Sequence, residues 1–375
     1  MRITIVEMVG GHGGMNGLNH PLINSISIHE DARLFTAMHG FRSDNVRNWF
    51  DICHRTNNKL LKGFLNVAIN VLIIFNSTLR RTRIYHLHFY QYGFLQAVLV
   101  FLYKMTGRKV VVSAHDASSF SKLERDRFKA FVFRGADTVL THSHYSCDQV
   151  RRYSEEKNLS LNVKMVDLGP PTAGIDIIAP EVAKKRIGVG KDDFTLLFFG
   201  QIKDVKGLDI VLKALPLLQV DNLKLVIAGR PWHMDFSIYL ELIETLGLTN
   251  KVKLHIKYIP DKDVPYFFSA ADVVCLPYRK IYQSGVLLYA LCYEKIIVCS
   301  DLEPFTEIVT DGVNGFVFKA GSVESFANVI QTISDLTISD IASVKRASKN
   351  LIDDKFNWGK LALKTIDIYR ELDKT

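Results

Sequence analysis

Short apolar runs alternate with segments of helical spacing along the whole chain, the pattern that βαβ units and parallel sheets produce. In the first half Ile3–Val6, Ile84–Leu87, Lys109–Ser113 and Thr138–Thr141 read as strands, each ending in a loop that holds Gly, His or Ser. The pattern restarts with Thr195–Phe199, Lys224–Ala228, Val252–His255, Val273–Leu276 and Ile296–Cys299, with helices such as Leu208–Leu218 between them. Between the two series lies Asp167-Leu168-Gly169-Pro170-Pro171-Thr172-Ala173-Gly174, the densest Pro/Gly stretch and the natural boundary. The expected organisation is an α/β domain over 1–175 and a second over 176–357. Leu361, Leu363, Ile366 and Tyr369 recur at helical spacing, so 358–375 is expected as a terminal helix that packs back on the first domain.

A length of 375 residues exceeds what one hydrophobic core usually serves, in agreement with two domains. The most apolar stretch, Phe64 to Phe75, holds Asn66 and Asn70 and falls short of the ~20 residues that cross a bilayer. It is expected as a core helix. The alternative is a helix lying in a membrane interface, given Lys62 before it and Arg80, Arg81 and Arg83 after it. Five cysteines with no CxxC pair point to a reducing, cytoplasmic compartment. The opening Met1–Val6 reads as a buried strand and lacks the cleavage site of a signal peptide.

Net charge is 47 − 39 = +8, and its distribution is uneven. Residues 1–175 carry 22 Lys and Arg against 13 Asp and Glu, whereas 176–375 carry 25 against 26. The excess clusters at Arg80–Arg83, Lys104–Lys109 and Lys122–Arg134. Such clusters attract anionic lipid at an inner-membrane face or a pyrophosphate-bearing acceptor, and a plain solvated face has the same composition. With no aromatic-basic motif, nucleic acid is not expected as a partner.

Two places carry candidate chemistry. Phe198-Phe199-Gly200-Gln201-Ile202-Lys203-Asp204-Val205-Lys206-Gly207 is a buried strand that ends at a glycine before a helix. Ligands bind at such strand ends, where a lysine reaches a phosphate oxygen and helix N–H groups add partial positive charge. Gln283-Ser284-Gly285 precedes Val286–Cys292, an apolar helix without charge. Small residues at its start let a diphosphate meet bare backbone, although Ser284 serves equally as a helix cap. No HExxH appears, and no metal or other cofactor is expected.

Residues from about 195 to 332 resemble the donor-binding domain of retaining glycosyltransferases of family 4. The resemblance rests on an ordered series of landmarks: Gly200…Lys206-Gly207, Ala228-Gly229-Arg230, Ala271-Asp272-Val273-Val274, Ser284-Gly285 and Glu307-Ile308-Val309-Thr310-Asp311-Gly312-Val313-Asn314-Gly315. It implies an α/β fold of the GT-B type, two Rossmann-like domains with parallel sheets facing a central cleft. It also implies a metal-independent, hexosyltransferase-type transfer of sugar, with a nucleotide sugar as donor and a saccharide or lipid-linked molecule as acceptor, in cell-surface polysaccharide synthesis. The first half resembles the family's acceptor-side domain through the loop Gly10-Gly11-His12-Gly13-Gly14 and the strand-then-His element ending at His115-Asp116.

The residues implied for the donor are Gly10, Gly11, Gly13, Gly14, Gly200, Gln201, Lys203, Lys206, Gly229, Arg230, Tyr258, Arg279, Gln283, Ser284, Gly285 and Val286. Those implied for catalysis are His115, Lys206 and Glu307, the last with a capping role as its alternative. Two departures from the family stand out: its arginine five residues before the lysine is Gln201, and its Glu-x7-Glu pair falls on Ile281 and Tyr289. Lys203 and Arg279 are candidate replacements for the lost charge, and Gln283 for a sugar contact. The missing carboxylates leave two other readings: a non-catalytic partner subunit of the same fold, or a sugar-nucleotide epimerase.

Overall fold

The computed structural model describes residues 1–10, 16–37, 43–115, 126–171 and 175–375. Two compact units divide the chain, Met1–Gly169 with Phe356–Thr375, and Pro170–Lys355. The division falls before the prolines of the Pro/Gly run, a few residues ahead of the expected 175/176 boundary. The last segment belongs to the first unit because Leu361, Ala362, Ile366, Tyr369 and Leu372 share a core with Ile3, Ile5, Ile84, Val111 and Leu140.

The first unit is built on seven parallel strands: β1 Arg2–Glu7, β2 Asp31–Phe35, β3 Val46–Arg47, β4 Ile84–Phe89, β5 Lys109–Ala114, β6 Thr138–Thr141 and β7 Val163–Met165. Their order is β3-β2-β1-β4-β5-β6-β7. The strands read from the sequence are the central ones, whose apolar runs are unbroken because both faces are covered. Strands β2, β3 and β7 escape that reading: β2 carries Asp31 and Arg33, and the two edge strands are only two and three residues long.

In the second unit six parallel strands, β8 Phe194–Phe199, β9 Leu223–Ala228, β10 Val252–His255, β11 Val273–Leu276, β12 Ile296–Ser300 and β13 Phe316–Phe318, run in the order β10-β9-β8-β11-β12-β13. Only the short edge strand β13 is unforeseen. Strand order reverses between β1 and β4 in one sheet and between β8 and β11 in the other. Such switch points open a crevice at the carboxyl ends of the strands, where open α/β sheets bind ligands.

One expectation fails. The Phe64–Phe75 stretch lies within a 21-residue helix, Lys59–Leu79, but it does not bury its apolar side. The buried positions are Asn66, Ile69, Asn70, Ile73 and Ser77, while Phe64 and Phe75 are 70% and 65% exposed. Hydrogen bonds explain why a half-polar face turns inward. Tyr103 donates to Asn70 Oδ1 at 2.8 Å, and the Ser77 and Thr4 hydroxyls pair at 3.0 Å. The asparagine amides are satisfied by the helix's own carbonyls at Lys62 and Asn66, each at 2.8 Å. Polar groups buried with partners cost little, so the helix is docked by its polar edge.

Candidate active site

In the second unit the switch point is built mostly from backbone. Strand β8 leaves the sheet at Gly200 with φ +105°, and its neighbour β9 ends at Gly229 with φ +150°. A Cβ on Gly229 would stand 1.7 Å from the Gly200 carbonyl oxygen, so the two strand ends touch and only glycine fits there. Around Gly200 gather Val286 Cγ2 and Lys206 Nζ, 3.4 and 3.8 Å from where its own Cβ would be. Lys206 donates to the Tyr278 hydroxyl at 2.9 Å, with its ammonium 4.4 Å from that ring's centroid. The loop after β8, the loop after β11 and the start of the Gly285–Cys292 helix therefore converge on one small region.

Ser284 caps that helix, its hydroxyl accepting from the Leu287 N–H at 3.2 Å. A Cβ on Gly285 would meet nothing within 4 Å, so packing does not demand glycine there. At Gly285 the helix start therefore faces open space. Gln201 follows Gly200 and is half-buried, and Gln283 directly precedes the cap. Lys203 and Arg230 both stand over the Trp232 ring, at 5.8 and 5.5 Å from its centroid.

Arg279 does not supply the replacement charge suggested by the sequence. Its guanidinium makes a bidentate pair with Asp209 at 2.8 and 2.9 Å and donates to the Asp204 carbonyl at 3.1 Å. It is a tie between two loops of the unit. Glu307 stands as the C-terminal cap of the short Glu303–Thr306 helix, its N–H bonded to the Glu303 carbonyl at 3.0 Å. The Asp311–Gly315 motif that follows is a structural turn: Asn314 accepts from Thr310 N–H and donates to the Ile308 carbonyl, and Asp311 accepts from Val317 N–H.

A carboxylate not singled out from the sequence, Asp261, acts electrostatically on Tyr289, the position where the family has its second glutamate. Burial raises the Tyr289 phenol first, and the charge of Asp261 raises it further. Tyr258 is likewise raised by burial and then by Asp261, while Arg230 pulls the other way. Asp261 itself is pushed up by desolvation. Tyr258, Arg230, Asp261 and Tyr289 are thus electrostatic neighbours. Asp261 opens the Asp261–Asp263 turn, 28 positions before Tyr289 (289 − 261).

In the first unit the loop after β1 is set by Glu7, a buried carboxylate the sequence reading passed over. Glu7 accepts from the N–H groups of Val9 and Gly10 at 2.8 and 2.7 Å, from the Asn19 amide at 2.8 Å and from Thr36 at 3.1 Å. Burial raises its pKa and these donors work against that rise. Gly10 has φ +52°, and a Cβ there would lie 2.3 Å from the Ala37 carbonyl oxygen. Its glycine is therefore explained by close approach of β2's exit, without a ligand. Gly11, Gly13 and Gly14 lie outside the described residues.

The carboxyl ends of β4, β5 and β6 bring four histidines together. His115 is buried, its Nε2 3.0 Å from His88 Nδ1, and its ring stacks on Tyr90 and His142 at 4.4 and 4.8 Å between centroids. His86 bridges the Tyr369 hydroxyl at 2.6 Å and Ser113 at 2.8 Å. Sequence spacing pointed to His115 alone. The structure places all four on one pocket, with Asn19 and Leu22 from the Asn16–Ser27 helix and Trp358 from the Trp358–Lys374 helix.

Burial, reinforced by the neighbouring imidazoles, holds His86 and His115 well below the ordinary histidine range. The same causes lower His88 to about 3; burial takes His142 to about 4 against the pull of the Val166 carbonyl. All four are neutral near pH 7. His142 Nδ1 faces the Val166 carbonyl at 3.0 Å and must donate, which leaves Nε2 a bare acceptor. That nitrogen and His88 Nε2 are buried with no hydrogen-bond partner. Buried polar atoms of this kind cost about 1–3 kcal/mol each, and the arrangement suits hydroxyl groups. Among the described residues no group of three His, Cys, Asp or Glu side chains has the geometry to hold a metal ion.

Residues 181–350, most of the second unit, match the family model for glycosyl transferases group 1. An uncharacterized glycosyltransferase of Methanocaldococcus jannaschii is 30% identical over 192 residues, 50% of this chain and 47% of that protein. The chain spans about half the length of several curated relatives it matches. Among solved structures, sucrose-phosphate synthase from Thermosynechococcus elongatus superposes with a TM-score of 0.77 at 14% identity, over 99% of each chain. HepE of Anabaena, in complex with UDP and glucose, superposes at 0.76 with 18% identity, over 99% of this chain and all of that one. At such identities the superpositions speak for the fold. Residues 181–350 thus resemble a group 1 glycosyl transferase domain, within a chain that has the two-sheet GT-B fold.

Proposed function

We propose that this protein is a retaining, hexosyltransferase-type glycosyltransferase that takes a sugar from a nucleotide-sugar donor. One observation carries the reading: Gly200, Lys206 and the open helix start at Ser284–Gly285 converge at the switch point of the second sheet. A diphosphate there accepts from helix N–H groups and from the Lys206 ammonium as negative charge builds on the leaving group. Those groups do without a metal the work of neutralising the departing diphosphate. The solved complex of HepE with UDP and glucose supports a uridine nucleotide as the first donor to try.

Retention is then achieved on one face of the sugar, the leaving phosphate taking the acceptor's proton. Neutral His115, with His88 and His142, orients acceptor hydroxyls in the first unit rather than acting as a charged acid. The acceptor is a saccharide or lipid-linked saccharide of a cell-surface polysaccharide, used on the cytoplasmic side of a membrane to which the basic first unit is drawn.

The test is release of nucleoside diphosphate from a panel of UDP-, GDP- and ADP-sugars, with and without oligosaccharide and polyprenyl-linked acceptors. Turnover with one donor is expected, and Lys206→Ala abolishes most of it. Binding and turnover absent across the panel would sink the proposal in favour of a non-catalytic partner subunit, the reading that Ile281 and Tyr289 keep open.

A further inference from the structure

The Lys59–Leu79 helix is inside out for a soluble unit. Its outward residues Leu60, Phe64, Val71, Leu72, Phe75 and Leu79 are all exposed, Leu60 by 87%, and they recur at helical spacing as one stripe. The adjoining Phe94–Lys104 helix continues the surface with Phe94 and Phe101, followed by Met105, at 69%, 52% and 69% exposure. The two helices are pinned side by side by the Tyr103–Asn70 bond. Exposed apolar patches of this extent mark an interaction site.

The charge around the patch identifies the partner. From Asp51 to Asp116 the chain carries nine Lys and Arg and not one carboxylate between them. The fold joins two of its basic runs at one end of the patch, where the Lys109 N–H bonds to the Arg83 carbonyl. Arg81 and Arg108 are exposed there, close in sequence to Leu79 and Met105. An apolar stripe edged by cations suits the boundary between acyl chains and anionic headgroups. Although long and apolar enough to cross a membrane, the helix is held along the unit by the buried Asn70 and Ser77 contacts. That attachment suits a helix lying along a bilayer surface rather than across it.

We infer that the outer face of helices Lys59–Leu79 and Phe94–Lys104 is a membrane-docking surface that inserts Phe64, Phe75 and Phe101 into an anionic bilayer interface. This sharpens the surface attachment proposed above, locating it on apolar side chains rather than on net charge, and it does not depend on which sugar is transferred.

Co-sedimentation of the full chain with phosphatidylcholine vesicles, with and without phosphatidylglycerol, tests it. Wild type binds the anionic vesicles and keeps part of that binding at high salt, whereas Phe64→Glu/Phe75→Glu lowers the apparent affinity at least about tenfold. Arg81→Glu/Arg108→Glu leaves the salt-resistant part and removes the preference for phosphatidylglycerol. Circular dichroism and UDP-sugar binding report that the variants are folded. The inference is overturned if Phe64→Glu/Phe75→Glu binds like wild type, or if high salt removes all binding. It is equally overturned if the wild type ignores vesicles and is a dimer that this variant dissolves. Vesicle binding without turnover of any donor would fault the transferase reading alone.

Discussion

The two sheets meet their ligand positions with opposite materials. At the carboxyl edge of the second sheet the polar groups are backbone, left accessible at Gly200 and Gly285, with Lys206 as a nearby cation. At the edge of the first sheet they are side chains, four neutral imidazoles packed against one another. Backbone amides and ammonium groups suit a diphosphate, whose charge they neutralise. Uncharged imidazoles suit hydroxyls, which they order without adding charge. The asymmetry is what a transferase needs if one substrate is an anion and the other an alcohol.

The largest expected effect tests the backbone side. Gly229→Ala drives a methyl into the Gly200 carbonyl, and the second unit should lose about 3 kcal/mol or more of stability in urea unfolding. Gly285→Ala, with free space around it, should leave stability within about 0.5 kcal/mol of wild type while weakening donor binding. Equal destabilisation by both would remove the argument that Gly285 is kept for a ligand. Next, Lys206→Ala should lower kcat/KM about a hundredfold, with the fold intact by circular dichroism. A change confined to KM would place the lysine on the ground state alone.

Acid tests the imidazole side. Unfolded histidines gain a proton near pH 6.5, but in the fold His88 and His142 do so only at about 3 and about 4. Their contribution is therefore complete above about pH 6.5 and drains as pH falls, by about 1.4 kcal/mol per pH unit for each histidine. Urea titrations at pH 7, 6 and 5 should show the first unit's transition slide while the second unit's holds. Trp232→Phe leaves fluorescence to Trp49 and Trp358, both in the first unit, so the two transitions separate. Transitions that move together would deny the comparison. The smallest effect is Arg279→Lys: about 0.5 kcal/mol in stability and unchanged turnover, because this arginine serves Asp209.

Legibility in the sequence followed the same divide. The strands β8 to β12 and the glycine landmarks could be read because each is a local pattern: an apolar run, then a residue whose backbone geometry allows little else. The histidine cluster could not, since His88, His115 and His142 come from three strand ends and meet only through sheet order. Asp261 was hidden for the same reason. The Lys59–Leu79 helix misled in another way. Its apolar content was plain, but which face turned inward depended on hydrogen-bond partners at Thr4 and Tyr103, far off in sequence.

The return of the Trp358–Lys374 helix to the first sheet bears on how the molecule is made. Trp358 walls the histidine pocket and Tyr369 holds His86, yet both leave the ribosome after every residue of the second unit. A nascent chain can complete the second unit while the first waits, its sheet half-covered and its imidazoles open to water. Folding order then runs opposite to synthesis order, and the histidine pocket closes only once the Trp358–Lys374 helix has been made.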